Sequence, residues 1–145
     1  MYRRILVPTD GTELCSLALD TALELARIGG GAIVGLHACP LDDPATPPAG
    51  TVDPALAAWC HEREQQARDA LAYVRRRADD AGVPCETVLA AEAAPFEAIE
   101  RIAREHGCDL VVMAAHARRG LRARLLGGET EKLLAHGTVP LLIVR

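Results

Sequence analysis

Five short apolar runs alternate with segments of helical periodicity along the whole chain, and this alternation leaves few folds open. The runs are "RRILVPTD", "AIVGLHA", "PCETVLAA", "CDLVVMAA" and "TVPLLIVR". Each is the length of a strand and too short for a helix. Parallel strands need a crossover of about a dozen residues or more, and a helix supplies it. The order β-α-β-α-β-α-β-loop-α-β therefore calls for an α/β fold, a parallel sheet with helices on both faces. With 145 residues, one domain spanning residues 1–145 is expected, built as a three-layer sandwich.

The individual elements can be bounded by their punctuation. The first strand runs from Arg4 to Val7 and ends at Pro8. Leu14, Leu17, Thr21, Leu25 and Ile28 then recur at helical spacing, with Thr12 as the N-cap and Gly29, Gly30 and Gly31 as the stop. Residues 32–38 form the second strand, and the proline-rich stretch from Pro40 to Pro54 reads as a loop or lid. From Pro54 to Ala81, Leu56, Cys60, Ala67, Leu71, Val74 and Ala78 mark a long amphipathic helix. A third helix starts near Pro95 and stops at Gly107, and a short last helix occupies "GETEKLLAHG".

Composition excludes several classes of function. Half of the residues are hydrophobic but only 3% are aromatic, so Ala, Leu, Val and Ile must fill the core. A net charge of -4 and a pI of about 5.7 give no general attraction to nucleic acid or to anionic lipid. The apolar run behind the first arginines is too short for a signal peptide or a membrane span, so a cytoplasmic location is expected. Cys15, Cys39, Cys60, Cys85 and Cys108 are odd in number and contain no CxxC, which argues for small buried hydrophobes over disulfides or zinc. Cys60, His61, Glu62 and Glu64 sit close together, but adjacent helical residues point apart, so no metal site is expected.

In an open parallel sheet, ligands bind beyond the carboxyl ends of the strands where the strand order reverses. Two such ends carry chemistry. "VPTDG" puts Thr9 and Asp10 after the first strand, and "MAAHARRG" puts His116, Arg118 and Arg119 after the fourth. No Walker loop, dinucleotide fingerprint or nucleophile elbow is present. Gly127 and Gly128 precede a helix whose free N–H groups and positive dipole end suit an anion. His37, near the end of the second strand, reads as a hydrogen-bonded histidine at the sheet edge.

Taken together, "ILVPTDGTE", "LHA", "APFEAIERIAREHGCDLVVM", "RRGLRARLLG" and "VPLLIV" make the chain resemble the universal stress proteins over nearly its whole length. The resemblance implies an adenine nucleotide alpha hydrolase-like sheet of five parallel strands in the order 3-2-1-4-5. It also implies a stress-response role without assured enzymatic activity, and often a homodimer. ATP-binding members carry G-x2-G-x9-G-[ST] after the fourth strand, and here those positions hold Ala114, Ala117, Gly127 and Gly128. By the same correspondence Asp10 and the backbone of Ala38 lie by the ribose and adenine, and Met113 by the base. The candidate binding set is Pro8, Thr9, Asp10, Ala38, Met113, Ala114, His116, Ala117, Arg118, Arg119, Gly127, Gly128, Glu129 and Thr130.

The departures from that pattern have a physical meaning. Glycine supplies a positive φ or lets backbone N–H groups approach phosphate, and a methyl removes both advantages. Gly128 lacks the hydroxyl of a Ser or Thr, and Glu129 brings a carboxylate to the helix start, where it complements the dipole and repels a triphosphate. Arg118, Arg119, Arg122 and Arg124 can still attract a smaller anion. Three readings follow. The first is a non-catalytic stress-response or regulatory protein with a degenerate ATP loop; the second is an ATP- or AMP-binding protein with slow or no hydrolysis. The third is a small-anion or metabolite sensor using the arginine loop. No catalytic residue is assigned, since no base is positioned by a second group. The last strand, 139–144, is apolar on both faces with a free edge, so a homodimer through it is expected.

Overall fold

The computed structural model describes residues 1–39, 54–91, 94–115 and 128–145, apart from the side chains of Leu56 and Glu129. The elements run β1 (Arg4–Pro8), α1 (Glu13–Gly29), β2 (Ala32–Ala38), α2 (Pro54–Asp80) and β3 (Cys85–Ala90). They continue with α3 (Pro95–Glu105), β4 (Leu110–Ala114), α4 (Gly128–His136) and β5 (Leu141–Val144). The strands pair in parallel in the order β3-β2-β1-β4-β5, as the resemblance implies. The proline-rich segment 40–53 lies outside the described residues, as does 116–127.

Strand parity decides which residue enters which layer. Ile5, Val7, Ile33, Val112 and Ala114 face α1 and α2, and Leu6, Val34, Leu36 and Val111 face α3 and α4. Successive side chains of a strand point to opposite faces, so a strand covered on both sides must be apolar throughout. Central β1 meets that condition, since Ile5, Leu6 and Val7 are each 0% exposed.

The face that α1 buries differs from its stripe of large apolar residues. Cys15, Ala18, Leu19, Ala22, Leu23 and Ala26 are buried, whereas Leu17 is 50% and Ile28 is 65% exposed. Leu14 and Leu25 only border the core. The two stripes lie roughly a third of a turn apart at 100° per residue. Close packing explains the choice, because the alanine ridge lets the helix axis approach the sheet. Thr12 occupies the N-cap position in extended conformation, but its hydroxyl makes no capping bond.

Gly35 of β2 shows how tight the α2 layer is. A Cβ built on it would stand 2.8 Å from Cγ1 of Val74, itself 1% exposed. Gly35→Ala should therefore lower unfolding free energy by about 1–3 kcal/mol. Denaturant titration of Gly35→Ala, Val74→Ala and the double variant should show the double less destabilised than the sum of the singles.

Candidate functional site

The chain leaves β1 through a turn that is stabilised by its own side chains. The Thr9 N–H donates to the Leu36 carbonyl at 2.8 Å, prolonging the β1–β2 ladder by one step. Gly11 then turns with φ +82, a left-handed conformation that side chains strain. Its N–H donates to Thr9 Oγ1 at 3.2 Å, and the Thr12 N–H donates to Asp10 Oδ1 at 2.9 Å. The Cys15 thiol reaches the same Asp10 oxygen at 3.0 Å. The Asp10 carboxylate thus closes an Asx turn on the N-cap residue's own amide, two residues on.

Beyond the strand ends this turn borders a cavity of about 210 Å³ on the α3 side of the sheet. Pro8, Thr9, Asp10, Ala38, Met113 and Ala114, drawn from three strands, line it. All six belong to the candidate set read from the sequence. Leu36, Cys15, Pro95 and Ile99 complete the wall. Pro95 and Ile99 were read only as helix residues, and Cys15 only as a small hydrophobe. The wall is mostly apolar, with Thr9 and Asp10 as its polar groups, which is the usual make-up of a small-molecule site. A second, wider cavity of about 520 Å³ lies between α1 and α2, and Asp10 and Cys15 line it as well.

Beside the turn, His37 is half-buried, and burial lowers its pKa from the ordinary histidine value; Asp10 opposes that shift and Arg63 reinforces it. Its Nδ1 is buried without a hydrogen-bond partner among the described residues. His37 does not lie at the sheet edge as expected, because β2 is an interior strand between β3 and β1. Burial first, and the Asp10 carboxylate second, push the Cys15 thiol above its ordinary range. A thiol so placed stays protonated and acts as a donor.

The half of the site expected to bind an anion lies only partly among the described residues. His116, Ala117, Arg118, Arg119 and Gly127 lie outside the described residues. Ala114 is the last residue of β4, 4% exposed, and belongs to the core on the α1 side. Its methyl is thus part of the packing and does not stand free in a loop. The next amide, Ala115 N–H, donates to the Val144 carbonyl at 2.9 Å. Gly128 opens α4, and a Cβ there would meet nothing within 4 Å among the described residues. Thr130 is buried and turns its hydroxyl to Met113 Sδ at 4.0 Å.

A model described as the universal stress protein family matches residues 1–145. The chain belongs to the universal stress protein family. Universal stress protein YxiE of Bacillus subtilis is 28% identical over 149 residues, covering 100% of both chains. The crystal structure of a universal stress protein family member from Burkholderia pseudomallei is 31% identical, with a TM-score of 0.75 over 99% of this chain and 96% of that one.

Other universal stress proteins have been solved with nucleotides. One in complex with cAMP is 23% identical, TM-score 0.71, over 99% of this chain and 97% of that one. One from Archaeoglobus fulgidus in complex with dAMP is 18% identical, TM-score 0.73, over 99% and 98%. One from Arabidopsis thaliana with AMP bound is 16% identical, TM-score 0.69, over 98% and 90%. At these identities the likeness is one of fold.

Proposed function

We propose that this universal stress protein is a non-catalytic nucleotide-binding regulator that holds the adenosine half of an adenine nucleotide and grips the polyphosphate weakly. The carrying observation is the cavity at the strand ends, where Asp10 stands beside the apolar group formed by Ala38, Met113, Pro95 and Ile99. A flat base buries well against such a wall, and a carboxylate at its rim accepts ribose hydroxyls. Fold relatives solved with cAMP, dAMP and AMP support the ligand class.

Weak phosphate binding follows from chemistry at the end of β4 and the start of α4. The Ala115 amide is already engaged by Val144, Gly128 has no hydroxyl to donate, and the carboxylate of Glu129 opposes a polyanion at the helix start. Each change costs on the order of 1 kcal/mol, and together they reach about a hundredfold in affinity. Calorimetric titration should show saturable AMP binding, with ATP no tighter than AMP. Ala117→Gly combined with Gly128→Ser, which has open space for its side chain, should raise ATP affinity about tenfold or more and leave AMP nearly unchanged. Native ATP binding below about 10 micromolar and tenfold tighter than AMP would overturn the reading.

We also infer a homodimer through residues 139–144. β5 ends the sheet, and Leu142 is 36% exposed. Within a parallel strand a residue turns both backbone groups to the same neighbour, and alternate residues turn to opposite sides. Pro140 and Val144 accept bonds from β4 residues or their immediate successor, so Leu142 also faces β4, and Leu141 and Ile143 face the free edge. Ile143→Pro should therefore sediment as a folded monomer, whereas Leu142→Pro should damage the sheet itself. A wild-type monomer at tens of micromolar would refute the dimer.

A further inference from the structure

Cys15 is a core residue of α1, 6% exposed, yet its sulfur stands 3.0 Å from a carboxylate oxygen. A buried cysteine ordinarily behaves as a small hydrophobe with no polar obligation. This one lines both cavities, and so does the aspartate it touches. Asp10 Oδ1 therefore has two donors from the first turn of α1, the thiol and the Thr12 amide. The amide is fixed by the backbone, and the thiol is fixed by packing among Ala18, Leu19 and Ala114 in the same core layer.

We propose that Cys15 is a positioning residue of the ligand site, whose thiol holds the Asp10 carboxylate in the one orientation that presents it to the cavity. The inference rests on the reading of that cavity as an adenosine site. Two fixed donors on a single oxygen remove the rotation about the carboxylate's last bond, so the group meets its ligand already oriented. The roles of donor and acceptor cannot exchange at neutral pH, because the buried thiol remains protonated beside the aspartate. Cys15 forms part of the wall, and its thiol acts on the ligand through Asp10.

The decisive comparison is Cys15→Ser, which keeps a donor, against Cys15→Ala, which removes it. AMP affinity by calorimetry should fall about tenfold in Cys15→Ala and stay within about threefold of wild type in Cys15→Ser. In an Asp10→Ala background, Cys15→Ala should add almost nothing. Thermal melts of each variant separate loss of fold from loss of orientation. Equal weakening in Cys15→Ser and Cys15→Ala, no effect in Cys15→Ala, or an undiminished effect with Asp10→Ala would overturn the proposal.

A second readout needs no nucleotide. The rate of Cys15 alkylation by iodoacetamide, resolved by peptide mass spectrometry, should rise at lower pH in Asp10→Asn than in wild type. Asp10→Asn removes the negative charge that disfavours the thiolate and puts an amide N–H donor in place of one carboxylate oxygen. An unchanged profile overturns the clamp even if AMP binds. Conversely, a wild type that binds no AMP while the profile shifts sinks the adenosine reading alone.

Discussion

Strand β1 is the member on which the remaining structure depends. It pairs with β2 on one side and β4 on the other, and all three of its central side chains are sealed from solvent. The sheet therefore grows outward from it in both directions, to β3 and to β5. A strand in that position must send its chain out at a place where the crossovers diverge, and the divergence leaves a crevice. Pro8, Thr9 and Asp10 occupy that exit, which is why the polar groups of the site come from the end of the most buried strand.

The same constraint explains the division of labour around the crevice. β2 and β4 flank β1, so Ala38 and Met113 arrive on either side of Asp10 although they are far from it in sequence. α1 must start within a few residues of the exit, and Gly11 makes that possible by adopting a left-handed conformation. The first turn of α1 then sits against Asp10, with two donors on one oxygen. On the opposite face α3 contributes apolar wall and no charge to the cavity. An apolar wall with one anchored carboxylate favours a flat, hydroxyl-bearing ligand over a bare anion, and this weighs for the adenosine end of a nucleotide.

Much of this was legible beforehand, and the exceptions have specific causes. The five runs located every strand to within two or three residues, because burial on two faces demands uninterrupted hydrophobicity and the half-buried edge strand β3 shows the alternation of "PCETVLAA" instead. Thr9 and Asp10 were recognisable from their places just past a strand end, and Met113 from the family resemblance. Leu36, Pro95 and Ile99 were not, since nothing in a lone Leu or Pro distinguishes a cavity wall from ordinary core. Cys15 carried a faint signal, its place five residues after Asp10, in the first turn of α1. Residues 116–127, with the arginines and Ala117, lie outside the described residues.

What the sequence determined by itself were properties of short range: the kind and limits of each element, the lack of aromatic packing, and the missing glycines of the phosphate motif. These depend on neighbours a few residues apart, and the chain carries them wherever it folds. Tertiary structure alone decided which face of α1 is buried, and it chose the ridge of Ala18, Ala22 and Ala26, with Leu19 and Leu23 beside it, over Leu17 and Ile28, because layer spacing sets how near a helix can come. It also turned Cys15 from filler into a donor, drew Ala114 into the core, and left His37 Nδ1 without a partner among the described residues. Each of those outcomes is a distance between groups on separate elements, and such distances come from packing volume, which no spacing along the chain encodes.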